Sequence, residues 1–306
     1  MANRRSRGRE INGILLLNKP VGLSSNFALQ QIKRLFNAKK AGHTGSLDPL
    51  ASGLLPICFG EATKLSHYLL DADKSYVTEC QLGVRTTTGD AEGDIVSQQS
   101  VPVLTLHQIN EVLEQFIGKT KQLPPMYSAL KKNGQPLYKL ARQGIEVERT
   151  PRTINISELR IVDFQNNKLC LKVQCSKGTY IRTLVEDIGN LIGCGAYVTN
   201  LERTAVGVYS MNDSVEMENI QQLRTENRFL EMDELLIPME SALSDWPEIK
   251  LSNDAVYYLR QGQAVLVPKA PTEGLVRLFE QKGEFLGIGQ ILDDGRVAPK
   301  RLVSAA

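Results

Sequence analysis

Long apolar runs are missing from this chain. No stretch of about 18 consecutive apolar residues occurs, so no segment is expected to cross a bilayer as a helix. Cysteine is scarce and unpatterned: five residues (58, 80, 170, 175 and 194), an odd number, with no Cys-x-x-Cys spacing. With only three histidines beside them, neither a zinc site nor a disulfide framework is expected. The N-terminal run Met1 to Arg9 is basic but is not followed by the apolar core of a signal peptide. These absences read as a cytoplasmic protein with reduced thiols. A long internal repeat is also lacking.

Net charge is small, +2 over 306 residues, but unevenly spread. Residues 1–40 hold nine Lys or Arg against one Glu, a net of +8. Residues 118–152 hold eight against two, a net of +6. Residues 211–248 hold two Arg against ten Asp or Glu, a net of −8. Two basic blocks and one remote acidic block suggest a polyanion-binding face with a solvated back.

Residues 1–10 read as a disordered basic tail. Ile11 to Asn18 is an apolar run of strand length that ends in a Lys19-Pro20-Val21-Gly22 turn. Ser24 or Ser25 caps a helix with Leu29, Ile32, Leu35 and Phe36 on one face. Leu54 to Phe59 is a buried strand, and Glu61 to Leu70 a short helix. Tyr76 to Leu82 alternates as a strand, with Tyr76, Cys80 and Leu82 on one face. Thr105 and Gln108 form a capping box ahead of Leu106, Ile109, Leu113 and Phe116. Residues 119–136 are rich in proline and lysine and read as an exposed insertion. Asn166-Asn167 joins two strands as a hairpin. After Gly178-Thr179 a helix follows, with Ile181, Leu184, Val185, Ile188 and Leu191 inward. From about Ile249 the chain turns strand-rich and glycine-punctuated, which suggests a small β-module.

The densest stretch is Gly42-His43-Thr44-Gly45-Ser46-Leu47-Asp48-Pro49-Leu50-Ala51-Ser52-Gly53. Glycines allow positive φ and close backbone approach. Pro49 pushes Asp48 towards extended backbone. The result is one carboxylate on a stiff turn ahead of an apolar strand, the presentation used for a nucleophile or a base. An Asx turn, with Asp48 bonding nearby amides, is the other reading of these residues.

That stretch resembles the catalytic motif of the TruB family, the tRNA pseudouridine-55 synthases. Leu16-Leu17-Asn18-Lys19-Pro20-Val21-Gly22-Leu23-Ser24-Ser25 resembles the family's opening motif. Gly60-Glu61-Ala62-Thr63-Lys64, then Lys74-Ser75-Tyr76, resemble the segment that carries its active-site tyrosine. Gly178-Thr179-Tyr180-Ile181-Arg182-Thr183-Leu184 resembles the motif of its active-site arginine. Four motifs in the same order make chance a poor explanation. The similarity runs over most of residues 11–210, and the chain's end is more loosely similar to a PUA domain. Departures are modest. Asn18 stands where the family often has Asp, Ser52 replaces a common Thr, and Thr86 to Gly89 vary around a retained Asp90.

The resemblance implies an α+β fold, with a mixed central sheet holding Asp48 in its cleft. It implies a catalytic domain over 11–248, a basic RNA-binding insertion at about 119–152, and a PUA-like domain over 249–306. The implied reaction isomerises uridine 55, in the T stem-loop of tRNA, to pseudouridine. No group enters or leaves, so no metal or cofactor is called for. Asp48 is then the nucleophile. Arg182 holds it ionised, and Tyr76 stacks on the flipped uracil. Tyr180 and Leu201 line the uridine pocket. His43 fills the gap left in the RNA stack. Lys19 and Lys64 contact phosphate or frame the site, and Asp90 is structural or positioning. Lys131, Lys132 and Arg142 grip the RNA backbone. The implied working unit is a monomer.

Read from the residues alone, Tyr76 is a core tyrosine on a strand, Tyr180 and Leu201 are core, and Arg182 is either a surface residue on an amphipathic helix or half-buried between inward Ile181 and Leu184. Two other functions compete. One is an RNA-binding or RNA-folding protein of the same descent. The other is a hydrolase that uses a second carboxylate, for which Asp90 is the candidate.

Overall fold

The computed structural model describes residues 8–304. The expected disordered tail falls on residues 1–7, outside the described residues, and on 8–10, which are tied down. Arg9 bridges to Ala38 through its backbone and pairs with Asp233 through its side chain.

The N-terminal strand β1 (Gly13–Lys19) leads into α1 (Ser25–Leu35), then β2 (Ala41–His43) and β3 (Ser52–Phe59). Ser24 caps α1 by accepting from the Phe27 amide, and the predicted stripe packs inward through Leu29, Ile32 and Phe36. The short helix expected at 61–70 is split into a 3-10 turn (Gly60–Lys64) and α2 (Ser66–Asp71). Next come β4 (Lys74–Leu82), the hairpin β5 (Val84–Thr86) and β6 (Ile95–Gln98), and α3 (Leu106–Glu114) with its capping box. The insertion begins later than expected. Gly118–Gln122 is β7, an edge strand of the main sheet, because its backbone pairs with Arg152 to Ile156. A small hairpin, β8 (Lys131–Lys132) and β9 (Gln135–Pro136), and α4 (Leu137–Ala141) follow. The long hairpin of β10 (Arg152–Gln165) and β11 (Lys168–Cys175) turns at Asn166 and Asn167, both with positive φ.

Helix α5 (Ile181–Ile192) buries Ile181, Leu184, Val185 and Ile188. Leu191 departs from its expected inward place and is 49% exposed. At 100° per residue it lies at the margin of the stripe, and Ile192 packs against the core in its stead. Then come β12 (Ala196–Val206), β13 (Tyr209–Ser210), β14 (Val215–Glu216), α6 (Met217–Thr225) and α7 (Phe229–Glu234). The acidic block is thus largely helical, and its Met217, Ile220 and Met232 fill the core beneath α1.

The main sheet is mixed and runs β14-β1-β3-β12-β4-β11-β10-β7, with β2 on β3 and β13 on β12. At its centre β3 and β12 run parallel, pairing Ser52 with Glu202 and Gly53 with Arg203. One core lies under α3 and α5, and another under α1, α6 and α7. A separate sheet of β15 (Glu248–Leu251), β16 (Leu275–Glu280), β17 (Phe285–Ile291) and β18 (Val297–Leu302) packs with α8 (Asn253–Arg260). It docks on the turn after β3. Leu65 and Leu243 bury against Ile288, Tyr68 meets Trp246 edge-on at 4.9 Å, and the Ser304 amide donates to Glu61. Among the described residues no helix is long and apolar enough to cross a membrane.

The central seam depends on Gly53. Its φ is +103°, and a Cβ there would stand 2.4 Å from the Arg203 carbonyl oxygen. Gly53→Ala should therefore destabilise the protein by about 3 kcal/mol, read as a lowered urea midpoint, because strain and overpacking add. An unchanged midpoint would mean that the seam yields at no cost.

Candidate active site

Asp48 lies in the loop between β2 and β3, and three other segments pin that loop. From α1, the buried Ser25 hydroxyl donates to the Leu47 carbonyl (3.0 Å) and accepts from its amide (2.7 Å). From the turn after β1, the Gly22 amide donates to the Pro49 carbonyl at 2.7 Å. From β12, Arg203 donates through Nε to the Leu54 carbonyl (2.8 Å) and through a terminal nitrogen to the Gly45 carbonyl (3.2 Å). The loop is thus held at both ends and along its middle. Among the described residues Asp48 bonds no loop amide. Its carboxylate forms an ion pair with Arg182, 3.0 Å from Nε, so the Asx-turn reading does not hold.

Arg182 is buried, not a surface residue of α5. The other guanidinium nitrogens donate to the Thr88 carbonyl (2.9 Å) and the Tyr127 carbonyl (2.8 Å), and one lies 3.4 Å from Asp90. Asp90 is only 2% exposed and also accepts from the Thr88 hydroxyl and the Glu92 amide. Its bonds are taken up in holding Arg182, which leaves it poorly placed to activate a water. Asp48 is different, since its side chain remains 41% exposed towards the cleft. Partial burial pushes its carboxyl above the usual range, against the pull of Arg182 and, more weakly, Lys19, while Asp90 adds to the rise.

A cavity of about 300 Å³ opens beside Asp48. Tyr76, Leu201, Tyr180 and Arg182 line it, as do Lys74, Arg203 and the segment Tyr127-Ser128-Ala129. Tyr76 and Arg203 are cross-strand partners on β4 and β12. Burial raises the Tyr76 phenol, although Arg203 beside it acts in the opposite sense. Tyr180 is held by a two-point bond: its amide donates to Gln122 Oε1 (2.8 Å), and its carbonyl accepts from Gln122 Nε2 (3.0 Å).

The other expected site residues are placed as follows. Lys19 is fully buried, and its ammonium donates to the Pro20 and Leu23 carbonyls, both at 2.8 Å. It frames the loop and is not free for phosphate. Burial takes its pKa down to about 8. Lys64 is not among the cleft-lining residues. It pairs with Glu61 at 2.5 Å and reaches the Leu302 carbonyl, because the turn after β3 faces the C-terminal sheet. His43 is half-buried on β2, outside the residues lining this cavity, and its Nδ1 has no hydrogen-bond partner among the described residues. Lys131 and Lys132 are exposed on the insertion hairpin, and Arg142 lies over the Tyr138 ring at 5.9 Å.

Sequence reasoning missed Arg203, Lys74 and Ser128. The first two carried a signal. Arg203 lies two residues from Leu201, and Lys74 two from Tyr76, so strand alternation turns both inward. Lys74 donates to the Leu69, Leu70 and Ala72 carbonyls at the end of α2, and burial lowers its pKa to about 8. Among the described residues no cluster of metal-ligating side chains occurs.

The chain is similar to known proteins along nearly its whole length. Residues 33–181 match the family model described as the TruB family pseudouridylate synthase N-terminal domain. Residues 182–244 match the tRNA pseudouridylate synthase B C-terminal domain, and 247–303 match the pseudouridine synthase II TruB C-terminal model. A curated relative from Nitrosococcus oceani, named tRNA pseudouridine synthase B, is 54% identical over 98% of this chain and 97% of its own length. One of the same name from Coxiella burnetii is 53% identical over 96% of each. The fold is similar to that of a solved structure titled as an H/ACA RNP bound to a substrate RNA containing 2′-deoxyuridine. Its TM-score is 0.74 at 21% identity, over 100% of this chain and 92% of that one.

Replacing Arg182 with Met leaves the partial burial of Asp48 unopposed. The Asp48 carboxyl should then titrate at still higher pH, followed by carboxyl carbon shifts in NMR. The buried Asp90 also loses its cation, which should cost about 3–5 kcal/mol. Adding Asp90→Asn should return part of that stability. A downward move of the Asp48 titration would overturn the assignment of Arg182 as its stabilising charge.

Proposed function

The chain belongs to the TruB family of pseudouridine synthases, and from that premise we propose that it converts uridine 55, in the T stem-loop of tRNA, to pseudouridine. The observation that carries this reading is a single half-exposed carboxylate, Asp48, held 3.0 Å from the buried Arg182 guanidinium at the wall of a cleft lined by Tyr76, Tyr180 and Leu201. Relatives over half identical along nearly the whole chain bear the name of a tRNA pseudouridine synthase.

The reaction breaks the N1–C1′ bond, turns the uracil and forms a C5–C1′ bond. The proton lost from C5 balances the one gained at N1. No water is consumed, so the pair of carboxylates that a glycosidase needs is not required. Asp48 bonds covalently to the substrate and is released when the new carbon–carbon bond closes. Its attack on either the base or the ribose balances. Arg182 keeps the carboxylate ionised and aimed, and Asp90 holds Arg182. Tyr76 stacks on the uracil, with Tyr180 and Leu201 packing around it. A target base inside a loop must leave its stack, and His43 supports the stack left behind. Lys131, Lys132 and Arg142 grip the RNA backbone, and the module over 249–306 adds to that hold. The protein acts in the cytoplasm as a single chain on its tRNA.

Asp48→Asn should abolish pseudouridine formation while folding and tRNA affinity persist. Mapping pseudouridine in tRNA after incubation with the purified variant is the check, and residual turnover above about one part in a hundred would make Asp48 a positioning group. The acid limb of the parent enzyme follows the same residue. Its ionised form is the active one and its pKa is raised. The single-turnover rate should therefore rise with pH, along a limb that lies above the ordinary aspartate value of about 4.

Charge reversal of Lys131 and Lys132 to Glu should weaken tRNA binding without loss of stability. The log–log salt slope of binding should flatten by about one for each phosphate contact removed. An unchanged slope would leave these lysines facing solvent.

A further inference from the structure

The basic insertion and the active-site arginine meet at a buried side chain to which the mechanism above gives no part. Gln122 ends β7, the strand from which the insertion departs, and its backbone pairs with Arg152, where the insertion returns. The residue is only 4% exposed. Its amide is spent on a distant segment: the two-point bond to the Tyr180 main chain, at 2.8 and 3.0 Å, spans 58 positions of sequence. Tyr180 is the residue that starts α5, with φ −99° and ψ 110°, and its own side chain makes no capping bond. Its carbonyl also accepts the first helical bond, from the Leu184 amide at 3.0 Å. The Gln122 amide thus does the work of a cap, supplied from another strand. Arg182 lies in the first turn of that helix. Whatever fixes Tyr180 fixes the direction in which the Arg182 side chain leaves.

The same two segments are joined again further along, where the Tyr127 carbonyl accepts from Arg182 at 2.8 Å. Between Gln122 and Tyr127 lie Leu123-Pro124-Pro125-Met126. The two prolines hold φ at about −65° and take up slack. From the returning arm of the insertion, Arg149 donates to the Pro124 carbonyl at 3.1 Å. Residues 122–127 and 180–182 therefore make a closed frame, tied at one end by Gln122 and at the other by Arg182 itself.

We infer that Gln122 is a positioning residue for the reaction: its side-chain amide holds the start of α5 so that the Arg182 guanidinium meets Asp48, Asp90 and the Tyr127 carbonyl at once. This rests on the proposed conversion of uridine and adds the group that keeps the arginine in register. Gln122 touches neither substrate nor Asp48 and acts through Arg182. Without its two bonds the first turn of α5 is free to shift, and the planar fork loses its fit to three sets of acceptors. The frame also sets the arm that carries Lys131, Lys132 and Arg142 in a fixed relation to the arginine that holds the nucleophile.

The test uses the full chain and a tRNA transcript. Gln122→Met keeps the volume and removes both bonds. At saturating enzyme the single-turnover rate should fall about tenfold or more, with tRNA affinity within about threefold of the parent, since misplacing a reacting group by about 1 Å costs up to about a hundredfold. Arg182 draws the Asp48 carboxyl down, so a loosened Arg182 lets it rise. Both the acid limb of the rate and the Asp48 titration, followed by carboxyl carbon shifts, should therefore move to higher pH. On an Arg182→Lys background, which lacks the fork, Gln122→Met should cost no more than about twofold, because residues that act through one another are not additive. An unmoved limb and titration overturn the inference. So does a loss that multiplies in full on the Arg182→Lys background, which would make Gln122 a support of the fold alone. If Gln122→Met does not fold, Gln122→Asn, whose amide falls short by one methylene, decides by the same readings. A parent that forms no pseudouridine sinks the proposed function, and the Asp48 titration then decides the inference without turnover.

Discussion

The guanidinium of Arg182 is the point on which the cleft is assembled. It bonds four partners from three segments: Asp48 on the loop before β3, Thr88 and Asp90 in the stretch between β5 and β6, and Tyr127 in the insertion. Its side chain is 6% exposed, so these bonds form with little competition from water. A lysine could supply the charge but not the planar fork that reaches several acceptors at once. Burying one cation beside two carboxylates also resolves an electrostatic problem. Asp90 is sealed and neutralised within the wall, which leaves Asp48 as the half-exposed partner facing the cavity.

A second buried arginine governs the loop from the other side. Arg203 is 1% exposed and, among the described residues, has no carboxylate partner. Its donors go to main-chain carbonyls at the two ends of the Asp48 loop. This arrangement needs the parallel seam of β3 and β12, because only there does the residue after Glu202 lie against Gly53. Glycine at 53 lets the two backbones approach, and the approach lets Arg203 span the loop. Sheet topology and loop posture are thus one constraint.

Much of this was legible in the sequence, and what was not has physical reasons. The capping serine of α1, the capping box of α3, the Asn166-Asn167 turn and the alternation of β4 are local signals, and the elements formed where local signals placed them. Asp48, Tyr76 and Arg182 stand in separate motifs, and the fold brings them to one cleft. What escaped notice is non-local. That Gly118–Gln122 joins the main sheet depends on pairing with β10, which its own residues Lys119 and Lys121 do not announce. Lys64 lies in a motif-bearing stretch but faces the C-terminal sheet, a docking no local pattern encodes. Lys74 and Arg203 were visible through strand parity, yet a charged residue at an inward position is easily discounted when no partner is in view.

The cations around the cavity bear on how one carboxylate can work alone. Lys19, Lys74 and Arg203 are each buried, and each donates mainly to backbone carbonyls. Burial lowers the two lysines to about 8, so near neutrality they are still mostly protonated. Their protons are engaged in holding loops, which makes them poor acids towards a substrate, and the Lys19 charge also acts as a fixed positive field on Asp48. That field opposes the partial burial that raises the Asp48 carboxyl, and Lys19 contributes to it directly. A neutralised Lys19 would release the Pro20 and Leu23 carbonyls and weaken the charge behind the loop together. Structural and electrostatic duties are therefore carried by the same side chains, and the reactive group is left with a single task.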